Sequence, residues 1–154
     1  MLAEGDRVPD VKLTAMDGET ISPADFKGHK LVLYFYPKDD TTGCTREAQD
    51  FTALAGAFEK EGTWILGVSK DSPARHRKFT DKYGLKVRLA SDEDGSVCEA
   101  FGTWIEKSLY GRKYMGIDRA TFLINRDGTI ARIWRKVKVA GHAEEVLEAA
   151  KELP

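Results

Sequence analysis

The chain has 154 residues, a length that predicts one domain with its own core. Its net charge is −1, and residues 1–77 carry 10 basic and 13 acidic side chains against 14 and 12 in residues 78–154. This balance predicts binding to neither nucleic acid nor membranes, and no apolar run approaches the roughly 20 residues of a membrane span. The N-terminus lacks a secretion-signal pattern, which favours a cytoplasmic protein.

Few side chains are candidates for chemistry. The two cysteines, Cys44 and Cys98, are too few for a disulfide framework. The three histidines lie far apart in the sequence, and no cysteine–histidine spacing fits a zinc site. No glycine-rich phosphate-binding motif occurs either. We therefore expect neither a metal nor a cofactor.

The predicted elements alternate between strands and helices. Segments 11–13 and 20–22 flank a turn at residues 16–18, and the continuous apolar run 31–36 predicts a buried central strand that ends at Pro37. A helix from Pro73 to Tyr83 is marked by Ser72 as its N-cap and by Gly84 beyond its end. The other predicted elements, in chain order, are a helix at 45–60, strands at 64–68 and 87–90, a short helix at 96–101, a hairpin of 120–125 with 129–134, and a helix at 142–153.

This order predicts an α/β protein. Strands that alternate with helices indicate parallel crossover units, and the late antiparallel hairpin makes the sheet mixed. We predict a thioredoxin-like fold, with a mixed central sheet flanked by helices and an N-terminal β-hairpin. Segment 102–116 has no clear periodicity, and its aromatic residues Trp104, Tyr110 and Tyr114 either wall a site or dimer contact or pack in the core.

Cys44 lies between the predicted central strand and the first long helix, in the segment YPKDDTTGCTREAQ. The first turn of a helix has unpaired backbone N–H groups and a partial positive charge, which both favour a thiolate over a thiol. Because the thiolate is the nucleophilic form, a cysteine placed here could attack an electrophile. The alternative is a small buried residue that fills space, as most free cysteines do.

The surroundings of Cys44 favour a functional site. Thr41 could form a hydrogen bond near the sulfur or simply cap the helix, and Gly43 would let a ligand approach the backbone closely. Segment 37–44 matches the peroxiredoxin pattern P-x-x-x-T-x-x-C, and GVSKDS at 67–72, SDEDG at 91–95 and RATFLIN at 119–125 follow in family order. Over its whole length the chain resembles the peroxiredoxin Q group, also called bacterioferritin comigratory protein.

The resemblance implies a thiol-dependent peroxidase that reduces hydrogen peroxide and organic hydroperoxides. Cys44 would attack the terminal peroxide oxygen and become a sulfenic acid. Thr41, Gly43 and Arg119 would bind the substrate, and Pro37 would shield the sulfur from water. From the residues alone, Arg119 is only a charge at the entrance to a strand. The resemblance also implies a thioredoxin, glutaredoxin or small-thiol reductant, and a monomer or weak homodimer.

The chain departs from the family pattern in its second cysteine. Many members carry one five residues after the first, where this chain has Gln49, and others carry one in the next long helix, near Thr80 here. The remaining candidate is Cys98, which we expect to be structural, with a resolving role as the alternative. A one-cysteine mechanism with an external thiol reductant is therefore favoured.

Two rival functions use the same cysteine. A thiol–disulfide oxidoreductase needs C-x-x-C, but Thr45, Arg46 and Glu47 follow Cys44, which argues against it. A peroxide sensor that reacts once without turnover stays open.

Two charged groups are predicted to be solvated. They are the turn residues Asp39 and Asp40, and the basic side chains of segment 126–138 on an edge strand.

Overall fold

The computed structural model describes all 154 residues. The strands are β1 (Leu13–Ala15), β2 (Thr20–Ile21), β3 (Lys30–Phe35), β4 (Thr63–Ser69), β5 (Arg88–Ser91), β6 (Trp104–Leu109), β7 (Arg112–Ile117), β8 (Ala120–Ile124) and β9 (Ile130–Trp134). The helices are α1 (Thr42–Ala53), α2 (Ala55–Lys60), α3 (Pro73–Tyr83), α4 (Ser96–Ala100) and α5 (His142–Glu152), and a 3-10 turn spans Pro23–Phe26. None of the helices has the length and apolar character needed to cross a membrane.

Seven strands form one mixed sheet in the order β2-β1-β5-β4-β3-β8-β9. Strands β3, β4 and β5 run parallel, while β1, β8 and β9 run antiparallel to their neighbours. The predicted mixed sheet, flanking helices and N-terminal hairpin are therefore confirmed.

Strand β3 is buried on both faces of the sheet, which explains its continuous apolar sequence. Because side chains alternate along a strand, Val32 and Tyr34 join one hydrophobic cluster, whereas Leu31 and Leu33 join the other. The first cluster includes buried residues of α1, α2, α3 and α5. The second includes those of α4 and of the 3-10 turn.

Two elements of the structure differ from the sequence prediction. The predicted helix 45–60 is two helices, because the backbone leaves helical geometry at Leu54 (φ −99°, ψ 3°), and α1 begins three residues earlier, at Thr42. Strands β6 and β7 form a separate hairpin that was not predicted. Its turn is Tyr110–Gly111, where both residues have positive φ (51° and 77°), as tight hairpin turns require.

Strand β9 lies at the edge of the sheet, as predicted, but two arginines of the basic segment bind backbone. Arg126 donates to the carbonyl oxygens of Gly28 and Pro154, at 3.0 and 3.1 Å. Arg135 donates to the carbonyl oxygen of Gly102 at 3.3 Å. Arg126 is exposed, as expected, whereas Arg135 is partly buried, so the expectation of a simply solvated side chain is wrong for Arg135.

Close packing beneath the sheet makes Gly67 a sensitive position. A Cβ added there would lie 2.7 Å from Cζ of Tyr34 and 2.9 Å from Cδ2 of Leu89, whereas one added at Gly56 would meet nothing within 4 Å. We expect Gly67→Ala to lower the free energy of unfolding by about 1–3 kcal/mol, the usual cost of overpacking. Gly56→Ala should raise it by up to about 1 kcal/mol. Denaturant titration of both variants checks this, and equal effects would contradict it.

Candidate active site

The site lies at the C-terminal ends of the parallel strands β3, β4 and β5. Strand β8 runs antiparallel to β3, with Phe35 opposite Ala120, so β8 begins where β3 ends. Arg119 immediately precedes β8, and Cys44 lies in the first turn of α1, which follows β3 after a short loop. Pairing of the two strands thus brings Arg119 to Cys44 although 75 residues separate them.

The Arg119 guanidinium bridges two side chains of α1. Its Nη2 donates to Sγ of Cys44 at 3.4 Å, and its Nη1 donates to Oε1 of Glu47 at 2.7 Å. Burial lowers the pKa of Arg119, but the charges of Glu47 and Cys44 outweigh that effect and leave it above its usual value. Arg119 therefore carries a fixed positive charge against the sulfur.

Glu47 is a site residue that the sequence reasoning missed. Its side chain is 1% exposed, and its Oε2 has no hydrogen-bond partner. Burial raises the pKa of Glu47 to about 7, although the neighbouring Arg119 guanidinium favours the charged form. Its spacing of three from Cys44 could have indicated it, since residues three apart share one face of a helix.

Thr41 occupies the N-cap position of α1 but makes no side-chain cap. Its Oγ1 instead donates to the carbonyl oxygen of Lys38 at 2.8 Å. Because the hydroxyl proton is used in this bond, only the oxygen lone pairs are free, and toward a ligand Thr41 is an acceptor. The first N–H groups of α1 also remain without a side-chain partner.

Gly43 and Pro37 complete the predicted set. A Cβ on Gly43 would lie 3.1 Å from Nη2 of Arg119, so the absence of a side chain makes room for the guanidinium. Pro37 follows β3 and is exposed. The structure therefore groups Thr41, Gly43, Cys44 and Arg119 at the C-terminal end of β3. It adds Glu47 to this group.

Cys98 belongs to the other side of the molecule. Both cysteines are free and buried, but Cys44 packs in the cluster beneath α1 and Cys98 in the cluster on the opposite face of the sheet. Burial, reinforced by the nearby Asp92 carboxylate, raises the pKa of the Cys98 thiol far above its usual range. The two sulfurs are thus separated by a layer of sheet.

The two aspartates of the loop before α1 differ in burial. Asp40 is exposed, as expected, and accepts hydrogen bonds from Tyr83 and Lys82. Asp39 is 3% exposed and is bonded to His76, so the prediction of a solvated side chain is wrong for Asp39. A carboxylate can occupy the interior only with partners, and here they are the Tyr36 hydroxyl, three residues away, and His76 of the distant helix α3.

The aromatic residues of the β6–β7 hairpin do not form core as a group. Tyr110 is 99% exposed and Tyr114 46% exposed, which excludes the core alternative for both. Trp104 packs partly against the second cluster, with the Nζ of Lys70 4.2 Å from its ring centre.

Comparison with known proteins gives concordant results. The model of the AhpC/TSA family matches residues 4–133. A putative peroxiredoxin bcp of Coxiella burnetii is 48% identical over 93% of this chain and 95% of its own, and peroxiredoxin Bcp of Bacillus subtilis is 44% identical over 97% and 95%. The structure of Xanthomonas campestris peroxiredoxin Q superposes with a TM-score of 0.87 at 48% identity, covering 92% of this chain and 89% of that one.

The thioredoxin-like sheet and the peroxiredoxin relatives place this chain in the class of thiol-dependent peroxidases. This chain belongs to the AhpC/TSA family and, within it, to the peroxiredoxin Q (Bcp) group.

The space left by Gly43 leads to a prediction about Arg119. Gly43→Ala places a methyl group against Nη2 and displaces the guanidinium from the sulfur. We expect the second-order rate of oxidation by hydrogen peroxide to fall roughly tenfold or more, because small misplacements of reacting groups are costly. Because the guanidinium also pairs with the buried Glu47 carboxylate, the free energy of unfolding should fall too, and the rate is measured under conditions in which the variant is folded. Stopped-flow fluorescence and denaturant titration measure the two effects, and Gly56→Ala is the control. An unchanged rate would show that Arg119 does not act on the sulfur.

The raised pKa of Glu47 predicts a pH-dependent stability. Between pH 4.5 and about 7, Glu47 binds more protons in the folded state than in the unfolded state. The contribution of Glu47 to the free energy of unfolding therefore falls as pH rises. The total loss is about 3 kcal/mol, at about 1.4 kcal/mol per pKa unit. In Glu47→Gln this pH dependence disappears. Burial lowers the pKa of His142 to about 4, so its contribution to the free energy of unfolding rises with pH, and this contribution is the same in both proteins. Denaturant titrations of both proteins at pH 5 and pH 8 test it, and parallel curves would contradict it.

Proposed function

We propose that this peroxidase acts through Cys44 alone, on hydrogen peroxide and alkyl hydroperoxides, and is reduced by an external thiol. The observation that carries the proposal is the contact of Arg119 Nη2 with Cys44 Sγ at 3.4 Å, on the face of the sheet opposite to Cys98. A solved relative at 44% identity supports alkyl hydroperoxides as substrates, since the Xanthomonas campestris bacterioferritin comigratory protein is described by its alkyl peroxide reduction activity.

The first half of the cycle is nucleophilic displacement at oxygen. The Cys44 thiolate attacks the terminal oxygen of ROOH, the S–O bond forms as the O–O bond breaks, and the alkoxide leaves with a proton as ROH. Thr41 accepts a hydrogen bond from the peroxide hydroxyl, which orients it in line with the sulfur. Arg119 and the free N–H groups of α1 stabilise the negative charge as it moves from sulfur to the leaving oxygen. The resemblance to peroxiredoxins assigns to Pro37, which is exposed beside this loop, the shielding of the sulfur from water.

The second half of the cycle requires two thiols from outside the chain. A first thiol attacks the sulfenic sulfur and releases water, and a second one attacks the resulting mixed disulfide to regenerate Cys44. Thioredoxin, glutaredoxin or a small thiol can supply this chemistry. A cytoplasmic location and a monomeric or weakly dimeric state remain predictions.

Two features argue against Cys98 as the resolving thiol. A disulfide requires Cα atoms within about 7 Å, which two cysteines on opposite faces of a sheet reach only after local unfolding. The raised pKa of Cys98 also disfavours the thiolate that would have to attack.

The mechanism predicts the products of a single oxidation. After one equivalent of hydrogen peroxide and immediate thiol blocking, intact mass should show one added oxygen on Cys44 and one blocking group on Cys98. Cys98→Ser should gain the same oxygen, and Cys44→Ser should gain none. Loss of two hydrogens with no blockable thiol would show instead that Cys98 resolves Cys44.

Turnover separates a peroxidase from a sensor that reacts once. With excess small thiol and excess hydrogen peroxide, we expect Cys98→Ser to consume many equivalents of peroxide per protein. Consumption of a single equivalent, with either a small thiol or thioredoxin present, would favour the sensor.

A further inference from the structure

The loop formed by residues 37–41, between β3 and α1, is tied to α3 by two sets of side-chain contacts. Asp40 has a φ of 59°, in the left-handed region that aspartate adopts more readily than most residues other than glycine. Its carboxylate accepts hydrogen bonds from Lys82 Nζ at 2.8 Å and from the Tyr83 hydroxyl at 2.6 Å, both from the end of α3. One support of the loop is therefore an exposed contact with α3.

The second support is buried and also involves α3. The Asp39 carboxylate accepts from the Tyr36 hydroxyl at 2.5 Å through Oδ1, and its Oδ2 lies 2.6 Å from Nδ1 of His76. The backbone N–H of Asp39 donates to Oδ2 of Asp71 at 2.8 Å, and the Ser69 hydroxyl donates to the same oxygen at 2.6 Å. Every polar group of Asp39 except its carbonyl thus has a partner outside the loop.

The proton count of this cluster follows from its acceptors. Nε2 of His76 lies 3.1 Å from the carbonyl oxygen of Ala90, which can only accept, so Nε2 carries a proton. Tyr36 donates to Asp39, and one further proton lies between Nδ1 and the carboxylate. The His76 imidazole and the Asp39 carboxyl together therefore carry no net charge. Because His76 is 0% exposed and Asp39 is 3% exposed, removal of either side chain leaves a hydrogen-bonding group of the other buried and unsatisfied.

A metal ion is the other use for such residues, since ligand atoms of Asp39, Asp71 and His76 lie within 4.8 Å of one another. The separation of 2.6 Å between Nδ1 and Oδ2 is that of a strong hydrogen bond. Two ligands at about 2.1 Å from a zinc ion in tetrahedral arrangement lie farther apart than this. The geometry favours the shared proton.

We propose that His76, through Asp39, is a positioning residue for the peroxide site. Asp39 precedes Thr41 by two residues and Cys44 by five, so its buried contacts determine where the Thr41 oxygen lies relative to the sulfur. His76 touches neither the sulfur nor the substrate and acts through the loop. This role rests on the proposed reaction of Cys44 with peroxide.

The test compares two reactions of the same thiol. Peroxide needs in-line alignment by the loop, whereas iodoacetamide needs only an accessible thiolate. The readout is the ratio of the second-order rate with hydrogen peroxide to that with iodoacetamide, measured in the Cys98→Ser background under conditions where each variant is folded. We expect His76→Gln to lower this ratio roughly tenfold or more, since its amide reaches toward Ala90 but leaves Oδ2 of Asp39 without its hydrogen-bond partner.

His76→Asn is the matched rescue variant. Its amide nitrogen lies near the place of Nδ1 and can donate to Asp39, so it should retain most of the wild-type ratio. Leu85→Ala controls for general destabilisation, since Leu85 is buried in the first hydrophobic cluster, just after α3, makes no contact with Asp39 through a polar group, and should leave the ratio unchanged. Stability is measured for all three by denaturant titration.

The outcomes separate the role of His76 from the proposed function. A wild-type thiol that does not react with peroxide would overturn the proposed function itself. A reactive wild type with an unchanged ratio in His76→Gln would overturn the role of His76 alone. That role would be overturned equally if Leu85→Ala lowered the ratio as much as His76→Gln, or if His76→Asn and His76→Gln lowered it to the same extent.

Discussion

Antiparallel pairing of β3 with β8 is the constraint on which the thiol site depends. Residue by residue, this pairing places the start of β8 beside the end of β3, with Ala120 opposite Phe35. The cysteine follows one strand and the arginine precedes the other, so a guanidinium meets the sulfur without any local sequence relation between them. A slip of one residue would turn every side chain of β8 to the opposite face and separate the two groups. The pairing continues without a shift from Phe35 opposite Ala120 to Leu31 opposite Ile124.

The charges at the site balance one another at the expense of stability. Arg119 is held by a carboxylate that is itself almost wholly buried, and the raised pKa of Glu47 expresses the desolvation it suffers. A buried pair of this kind is weak evidence for stability, because hydrophobic residues often pack as well. The ion pair instead fixes geometry, since Nη1 of the Arg119 guanidinium is bound to Glu47 while Nη2 remains directed at Cys44. The fold accepts a costly carboxylate in order to fix a cation.

Local signals predicted most of the fold and only part of the site. Helix α3 begins and ends where Ser72, Pro73 and Gly84 indicate, because caps act within a few residues of the chain. The β6–β7 hairpin was missed because it is largely exposed and its strands lack apolar alternation. Glu47 and Asp39 were missed for another reason: the cationic or imidazole partners of their carboxylates, Arg119 and His76, are 72 and 37 residues away, and a buried carboxylate resembles a solvated one until such a partner is known. Arg119 was found only through family resemblance, for the same physical reason.

Placement of the two cysteines on opposite faces of the sheet has a consequence for the lifetime of the enzyme. Where a resolving thiol is built into the chain, it competes with peroxide for the sulfenic acid at a rate set by the fold. With the proposed external reductant, both competing reactions of the sulfenic acid, with thiol and with peroxide, are bimolecular. A second peroxide would then convert the sulfenic acid to the sulfinic acid, which is not reversed by simple thiols, whenever reductant is scarce. The fraction of Cys44 that escapes this oxidation would thus depend on the ratio of thiol to peroxide around the protein. Inactivated protein would accumulate only where the concentration of reducing thiol is low relative to peroxide.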